Sequence, residues 1–306
     1  MHACSGQSAA RRALPPVGRR ASSIRIATLA SGRRPGDAVR YGVLADIHAN
    51  LHALRVALST LERHGVDRYV CAGDLVGYGP SPNECVELVA GLDCVCVAGN
   101  HDLIALERLS VERCIPLAQD SLRWTRRVLG DDARAFLAAL PNRAATADGV
   151  VVAHGSLRDP EEYTTRARQA REQLARVADE LPGARVLILG HTHRPWAYAR
   201  AAGSLPTRHT LALPDEVIHA NPGSVGQSRE LRARARCLLL DLDDSSATFL
   251  APSYDVGACR AALRGSGLPE RSCHMRPSLP ALGRRAIRRL VRSAERLAPR
   301  DARAGR

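Results

Sequence analysis

The feature that most constrains the fold of this chain is a series of short apolar runs, each followed by a turn signal and usually by a helical pattern. These runs lie at 41–45, 69–72, 94–98, 149–153, 185–189, 217–220, 237–242 and 247–251. Apolar runs of this length bounded by turn residues predict buried strands, and helices between them predict parallel connections. The last two runs follow one another closely, as in an antiparallel hairpin. The sequence therefore predicts an α/β fold with a mostly parallel first half.

Helical patterns fill several of the gaps between these runs. Leucines recur at helical spacing over 51–63, and Gly65 follows as a stop signal. Further helices are predicted over 82–90, over 117–140 with a break at Gly130–Asp131, and over 161–180. We find no internal repeat, so the whole central part of the chain is expected to form one α/β unit.

Side chains that can bind metal ions follow five of the apolar runs directly. They are, in chain order, Asp46 and His48, then Asp74, then Asn100, His101 and Asp102, then His154, and finally His191 and His193. Each of them alone has an ordinary explanation, because Asp is a common cap and short motifs match by chance. Open α/β sheets bind ligands at the carboxyl ends of their strands, so we expect these side chains to lie together. The sequence predicts a metal site.

The kinds of ligand constrain both the metal and the reaction. Imidazole and carboxylate ligands without thiolate suit Mn, Fe, Co, Ni or Zn, and argue against Mg²⁺ alone, which prefers oxygen ligands. Two ions about 3.5–4 Å apart can clamp the attacking and leaving oxygens of a phosphoryl transfer. The family resemblance described next implies two divalent ions with two Asp ligands, and with a bridging hydroxide such a site keeps a positive charge that suits an anionic phosphate.

Taken together, these motifs resemble those of the calcineurin-like metallophosphoesterases. The family pattern D-x-H, G-D, G-N-H-[DE], H and G-H-x-H reads here, in order, as DIH, GD, GNHD, AHG and GHTH. The resemblance runs from about Tyr41 to about Pro269 and is greatest to a compact bacterial branch that shares GDLVGYGP, NPGSVGQ and a late YD. The chain departs from that branch at Ala49, where Gly is common, and in SREL (228–231), where a Pro is commoner.

The resemblance implies a four-layer α/β/β/α sandwich with two mixed sheets and two divalent transition-metal ions. One ion would be held by Asp46, His48, Asp74 and His193, and the other by Asp74, Asn100, His154 and His191, so that Asp74 bridges the pair. His101 is not needed as a ligand, and we interpret it as the general acid that protonates the leaving oxygen while metal-bound hydroxide attacks phosphorus. Asp102 either orients the ring of His101 or caps a helix, and both interpretations stay open.

The predicted function is hydrolysis of a phosphate ester, with monoesters, diesters, dinucleoside polyphosphates and phosphoproteins all open as substrates. A nucleic-acid-processing nuclease is one alternative, although the sequence shows no pattern of basic and aromatic residues that indicates a nucleic-acid groove. A non-catalytic scaffold of the same fold is another, and loss of metal ligands would favour it, but none is lost. The stretch 219–227 either supplies hydrogen bonds to the site from Asn221 or Ser224 or forms an ordinary tight turn.

Basic residues are concentrated at the two ends of the chain. The net charge is +13, yet residues 1–40 carry 8 Arg against 1 acid and residues 265–306 carry 11 Arg against 3 acids, so that 41–264 sum to −2. We expect a disordered extension over 1–40, a metallophosphoesterase domain over 41–270, and a basic tail over 271–306 with an amphipathic helix at 279–298. The tails are candidates for binding an anionic surface or nucleic acid. Alternatively, the apolar stripe of the helix docks on the domain.

The cysteine pattern and the apolar runs indicate the compartment. The chain has nine Cys without a C-x-x-C pair, and several lie within apolar runs, where Cys behaves as a small hydrophobic residue. No run reaches the roughly 18 apolar residues of a membrane span, and no apolar segment of a secretory signal follows the N-terminal Arg pairs. We therefore expect a cytoplasmic protein with free thiols and no transmembrane segment. The sequence leaves the oligomeric state open.

Overall fold

The computed structural model describes residues 25–27 and 39–277, whose strands form two sheets. In spatial order, the six-stranded sheet contains β10 (Thr210–Ala212), β13 (Ser246–Leu250), β12 (Cys237–Asp241), β2 (Arg40–Leu44), β3 (Arg68–Cys71) and β4 (Cys94–Cys96). The seven-stranded sheet contains β1 (Arg25–Ala27), β5 (Arg143–Thr146), β6 (Val150–Ala153), β7 (Val186–Leu189), β11 (Ile218–Asn221), β8 (Trp196–Ala199) and β9 (Gly203–Leu205). Both sheets mix parallel and antiparallel pairs, which confirms the expected α/β class with two mixed sheets.

The helices are α1 (Leu51–Arg63), α2 (Pro82–Ala90), α3 (Asn100–Ala105), α4 (Pro116–Val128), α5 (Asp131–Ala139), α6 (Ala167–Glu180) and α7 (Val256–Gly265). The predicted helices over 51–63 and 82–90 are confirmed, and so is the break at Gly130–Asp131. The helix predicted from 161 begins only at Ala167; before it the chain makes a turn in which the N–H of Glu162 donates to the carbonyl of Asp159 at 3.2 Å.

Apolar packing in three clusters gives four layers. Alternate residues of each strand point to opposite faces of a sheet, so Val43 and Val150 lie in the cluster between the two sheets. Leu44 instead packs against the helices that cover the six-stranded sheet, α1 among them. On the outer face of the seven-stranded sheet, Val151 packs against residues of α6 such as Leu174. The order helix, sheet, sheet, helix agrees with the expected four-layer sandwich.

The strands that precede the candidate ligands are divided between the sheets. β2, β3 and β4 are neighbouring parallel strands of the six-stranded sheet, whereas β6 and β7 are parallel neighbours in the seven-stranded sheet. The chain crosses from one sheet to the other through β5, which the sequence analysis did not predict. The expected hairpin of the last two strands, β12 and β13, is present. The loops that carry the candidate ligands therefore come from both sheets, at the carboxyl ends of these strands.

Described elements lie on both sides of the expected 41–270 domain. The stretch 1–40, expected to be disordered, contains β1, which pairs in parallel with β5 from Arg25 opposite Ala144 to Ala27 opposite Thr146. At the other end the packed chain continues past 270, because Cys273 is buried and the N–H of Met275 donates to the carbonyl of Ser228 at 3.0 Å. The amphipathic helix predicted at 279–298 lies outside the described residues. Among the described helices, none has the length and hydropathy to cross a membrane.

Candidate metal centre

The loops that carry the ligands bend sharply because several of their residues adopt left-handed backbone conformations. The φ angle is 54° at Asp46, 49° at His48, 56° at Asp74, 64° at His191 and 56° at His193. Such conformations cost a non-glycine residue about 1–3 kcal/mol and cluster at functional sites. Neighbouring loops hold them in place: the N–H groups of Asp46 and His48 donate to the carbonyls of Gly73 and Asp74 at 3.0 and 2.9 Å.

The structure brings all seven expected metal ligands into one buried cluster. His48 Nε2 lies 3.1 Å from His193 Nε2, which in turn lies 3.6 Å from Asp46 Oδ1. Asp74 Oδ2 lies 3.6 Å from His48 Nε2 and 3.2 Å from His154 Nε2. The cluster is completed by Asn100, whose Oδ1 lies 3.0 Å from His154 Nε2, and by His191, whose ligand atom lies within 4.8 Å of those of Asp74 and His154.

Backbone carbonyls orient the imidazole rings. His48 Nδ1 lies 3.2 Å from the carbonyl of Val76, and His193 Nδ1 lies 2.8 Å from that of Gln227. A carbonyl only accepts, so each Nδ1 carries the proton and each Nε2 is left with a lone pair. Burial lowers the pKa of both rings well below the ordinary value, so both are neutral. Two neutral acceptors facing each other at 3.1 Å fit a cation bound beside them.

Two buried carboxylate oxygens also fit a cation. Asp46 Oδ2 and Asp74 Oδ2 are buried without a hydrogen-bond donor, although buried polar atoms are nearly always paired. Burial raises the pKa of Asp46 to about 7, because desolvation disfavours its charged form. Burial lowers the pKa of His154, but the nearby carboxylate of Asp74 has the opposite effect. On balance the pKa of His154 is raised to about 9. A positive charge beside Asp74, whether a proton or a metal ion, is therefore favoured at this position.

Glycines let the loops after β3 and β4 touch. A Cβ on Gly99 would lie 2.1 Å from Asp74 Oδ1, and a Cβ on Gly73 would lie 2.4 Å from the backbone nitrogen of Gly99. Real Cβ atoms never approach so closely, so the Asp74 carboxylate holds its position only because position 99 has no side chain.

We therefore expect Gly99→Ala to displace the Asp74 carboxylate and to weaken the metal centre. A misplacement of about 1 Å costs on the order of a hundredfold in turnover. Metal content after dialysis and phosphoesterase activity measure the effect. Gly91→Ala is the matched control, since its Cβ would meet nothing closer than 3.6 Å. Equal activity of the two variants would show that the close approach at Gly99 has no functional consequence.

His101 lies at the wall of the cleft with its backbone tied to the cluster. Its N–H donates to Asp74 Oδ1 at 2.8 Å, and its ring centroid lies 4.7 Å from that of His48. Asp102 does not orient this ring. One of its carboxylate oxygens accepts from the N–H of Val76 at 3.1 Å, the other accepts from that of Gly99 at 2.9 Å, and His101 Nδ1 is buried without a partner. The structure therefore favours the capping alternative for Asp102.

The 219–227 stretch ties two ligand loops together. Asn221 Nδ2 donates to the carbonyl of Gly190 at 2.6 Å, directly before His191. Ser224 Oγ donates to the carbonyl of Asp46 at 2.8 Å. Of the two interpretations left open for this stretch, the structure supports hydrogen bonding to the site.

A cleft of about 490 Å³ opens over the cluster. Tyr78 lines it, and among the lining residues that the sequence analysis missed are Tyr163, Arg229 and Met275. The ring of Tyr163 lies 4.0 Å from that of His191, and Arg229 Nη2 lies 3.3 Å from His193 Nε2. The one sequence signal for Arg229 is its position two residues after NPGSVGQ, while Tyr163 and Met275 lie in segments without a motif.

Fold and site together define a class of two-sheet α/β proteins with a buried His and Asp cluster, and comparison with known proteins gives the family. Residues 39–245 match the model of the calcineurin-like phosphoesterase superfamily domain. The chain belongs to this superfamily, as its motifs indicated.

Solved structures and a curated protein are similar to this chain. A metallophosphoesterase from Sphaerobacter thermophilus is 34% identical, with 78% of this chain and 97% of that chain covered and a TM-score of 0.67. A hypothetical protein from Pyrococcus horikoshii, 19% identical with 77% and 96% covered, shares the fold with a TM-score of 0.63. An uncharacterised protein from Methanocaldococcus jannaschii is 29% identical over 74% of this chain and 93% of its own length.

Proposed function

We propose that this protein is a binuclear-metal-dependent phosphoesterase that hydrolyses phosphomonoester or phosphodiester bonds. The observation that carries the proposal is the convergence, under one cleft, of two facing imidazole nitrogens 3.1 Å apart and two buried carboxylate oxygens without donors. The similarity to a metallophosphoesterase at 34% identity supports the same reaction class. The intact ligand set disfavours the scaffold alternative.

The proposed ligand sets are those that the motifs implied. One divalent transition-metal ion would be held by Asp46, His48, Asp74 and His193, and the second by Asp74, Asn100, His154 and His191. Mn, Fe, Zn, Co and Ni all suit this mixture of imidazole, carboxylate and amide. When bound, such ions lower the pKa of a water molecule and offset the negative charge of the phosphoryl group.

His101 is proposed as the general acid for the leaving oxygen. Its Nδ1 is buried against Gly77, where a Cβ would come within 2.4 Å of it, so Nε2 is the nitrogen left to face the cleft. Asp102 supports His101 indirectly: its carboxylate accepts the N–H of Gly99 at 2.9 Å, at the start of α3, which carries His101. Arg229 adds a permanent positive charge at the same wall of the cleft.

The test of this proposal is metal removal and return. We expect about two transition-metal ions per chain by elemental analysis, loss of hydrolysis of p-nitrophenyl phosphate and bis-p-nitrophenyl phosphate on chelation, and recovery when Mn²⁺ or a similar ion is added. The reason is that both charge neutralisation and water activation depend on the ions. Full activity of a protein shown by analysis to be free of metal would contradict the proposal.

The proposed location is the cytoplasm, and the proposed partner is a phosphate-ester substrate. Support for a reducing compartment comes from the cysteines, since Cys71, Cys85, Cys94, Cys96, Cys114, Cys237, Cys259 and Cys273 are all free thiols. Binding of an anionic surface or nucleic acid through the Arg-rich tails stays a prediction, because most of those residues lie outside the described part of the chain.

A further inference from the structure

A second cavity of about 800 Å³ lies beside the cleft over the metal cluster. The linings of the two cavities share Arg194 and Arg229, so the cavities are neighbours. The second cavity extends away from the metal ligands to Arg208, an exposed residue in the turn between β9 and β10. A long ligand bound at the candidate metal centre would therefore have the second cavity beside it.

The lining of this second cavity is strongly basic. Four arginines, which are Arg194, Arg208, Arg229 and Arg236, face it together with a single carboxylate, that of Glu230. Arg236 holds both oxygens of that carboxylate, from Nε to Oε2 at 2.7 Å and from Nη2 to Oε1 at 2.8 Å. Glu230 therefore offsets the charge of Arg236, and the cavity as a whole keeps an excess of positive charge that attracts anions.

Arg229 stands at the border of the two cavities in a fixed orientation. Its Nε donates to Gln227 Oε1 at 3.1 Å, while Gln227 Nε2 donates to the Met275 sulfur at 2.9 Å. Its Nη2 lies 3.3 Å from His193 Nε2, within the metal cluster. Because the guanidinium presents several N–H donors in a planar fork, it can bind phosphate oxygens on either side.

We propose that the second cavity is a subsite for a second phosphate group of the substrate, with Arg208 as its outer anchor and Arg229 shared between the two phosphates. The inference rests on the proposed function, because it places the first phosphate at the metal cluster. It narrows the substrate class to esters that carry a further phosphate group beyond the one that is hydrolysed. The preference for substrates with a second phosphate group then comes from arginines that lie outside the metal-ligand motifs.

The experiment uses the metal-loaded full-length protein and linear alkanediyl bisphosphates of increasing length, each compared with the alkyl monophosphate of the same length. Calorimetry gives their affinities, and inhibition of p-nitrophenyl phosphate hydrolysis gives their inhibition constants. We expect one spacer length to bind best, about tenfold tighter than its monophosphate, which is the lower range for a hydrogen bond to a charged group. Arg208→Gln should remove most of that ratio.

Arg200→Gln is the matched control, since Arg200 is also exposed and lies in the neighbouring turn between β8 and β9. It should leave the ratio of bisphosphate to monophosphate affinity unchanged. An affinity that does not depend on spacer length, or equal effects of the two variants, would overturn the subsite. Ligand preference that depends on Arg208 in a protein without hydrolytic activity would support the subsite and contradict the proposed function instead.

Discussion

Asp74→Asn is expected to abolish turnover and to weaken both metal sites at once. Asp74 is the only ligand proposed for both ions, and its Oδ2 lies between His48 Nε2 and His154 Nε2 at 3.6 and 3.2 Å. An amide keeps the shape of the side chain but removes the charge and puts an NH₂ group in place of one oxygen. Metal-ion catalysis supplies several kcal/mol of charge stabilisation, so the expected loss is on the order of a thousandfold or more.

Metal content and turnover should be measured together for this variant. Asp179→Asn is the matched control, because it makes the same chemical change at an exposed position near the end of α6. Circular dichroism separates loss of metal from loss of fold. An Asp74→Asn protein that is folded, binds both ions and hydrolyses esters at the wild-type rate would contradict the proposal that Asp74 is a ligand of both ions.

His101→Gln is expected to keep both ions and to lose turnover selectively. A general acid contributes about 10²–10⁴-fold, and its contribution is greatest when the leaving group is a poor one. The loss should therefore be large for alkyl phosphates and small for p-nitrophenyl phosphate, whose leaving group needs little protonation. The measurement is kcat for a series of esters ordered by the pKa of the leaving alcohol or phenol.

His52→Gln provides the control for the His101 variant, because His52 lies on α1 and does not line the cleft. A uniform loss across all esters would contradict the role of His101 as an acid. Loss of a metal ion from the His101→Gln variant would instead show that His101 is a metal ligand. The geometry allows this role, because a ring nitrogen of His101 lies within 4.8 Å of the ligand atoms of His48 and Asp74.

The sequence predicts the metal cluster better than the cleft around it. Each ligand follows a strand directly and carries its own local motif, so strand prediction and side-chain chemistry suffice to group Asp46, Asp74 and His154. Arg229 and Met275 reach the cleft from segments far along the chain, and only tertiary packing shows that they do. The role of Asp102 could not be predicted, although it lies in a motif. A carboxylate at this position can either orient the ring of His101 or cap a helix, and only the structure, in which the N–H groups of Val76 and Gly99 donate to it, distinguishes the two roles.

Two of the strands that the sequence analysis missed are short and poor in strand-forming residues. β5 reads RAAT and has one β-branched residue, Thr146, while β9 reads GSL and has no β-branched or aromatic residue. They are strands because neighbours pair with them: β5 lies between β1 and β6, and β9 pairs with β8. β1 reads RIA and has only three residues, and its parallel partner β5 lies more than a hundred residues away, so local sequence does not show this pairing.

Because the proposed ligands are divided between the two sheets, bound metal ions would also affect the stability of the fold. Asp46, His48, Asp74 and Asn100 follow strands of one sheet, whereas His154, His191 and His193 follow strands of the other, and an apolar cluster packs between the two sheets. An ion shared by both groups is a cross-link that exists only in the folded protein. A ligand at a hundredfold excess over its dissociation constant stabilises the fold by about 2.7 kcal/mol. Scarcity of metal in the cell would thus shorten the lifetime of the protein through degradation, in addition to abolishing its activity.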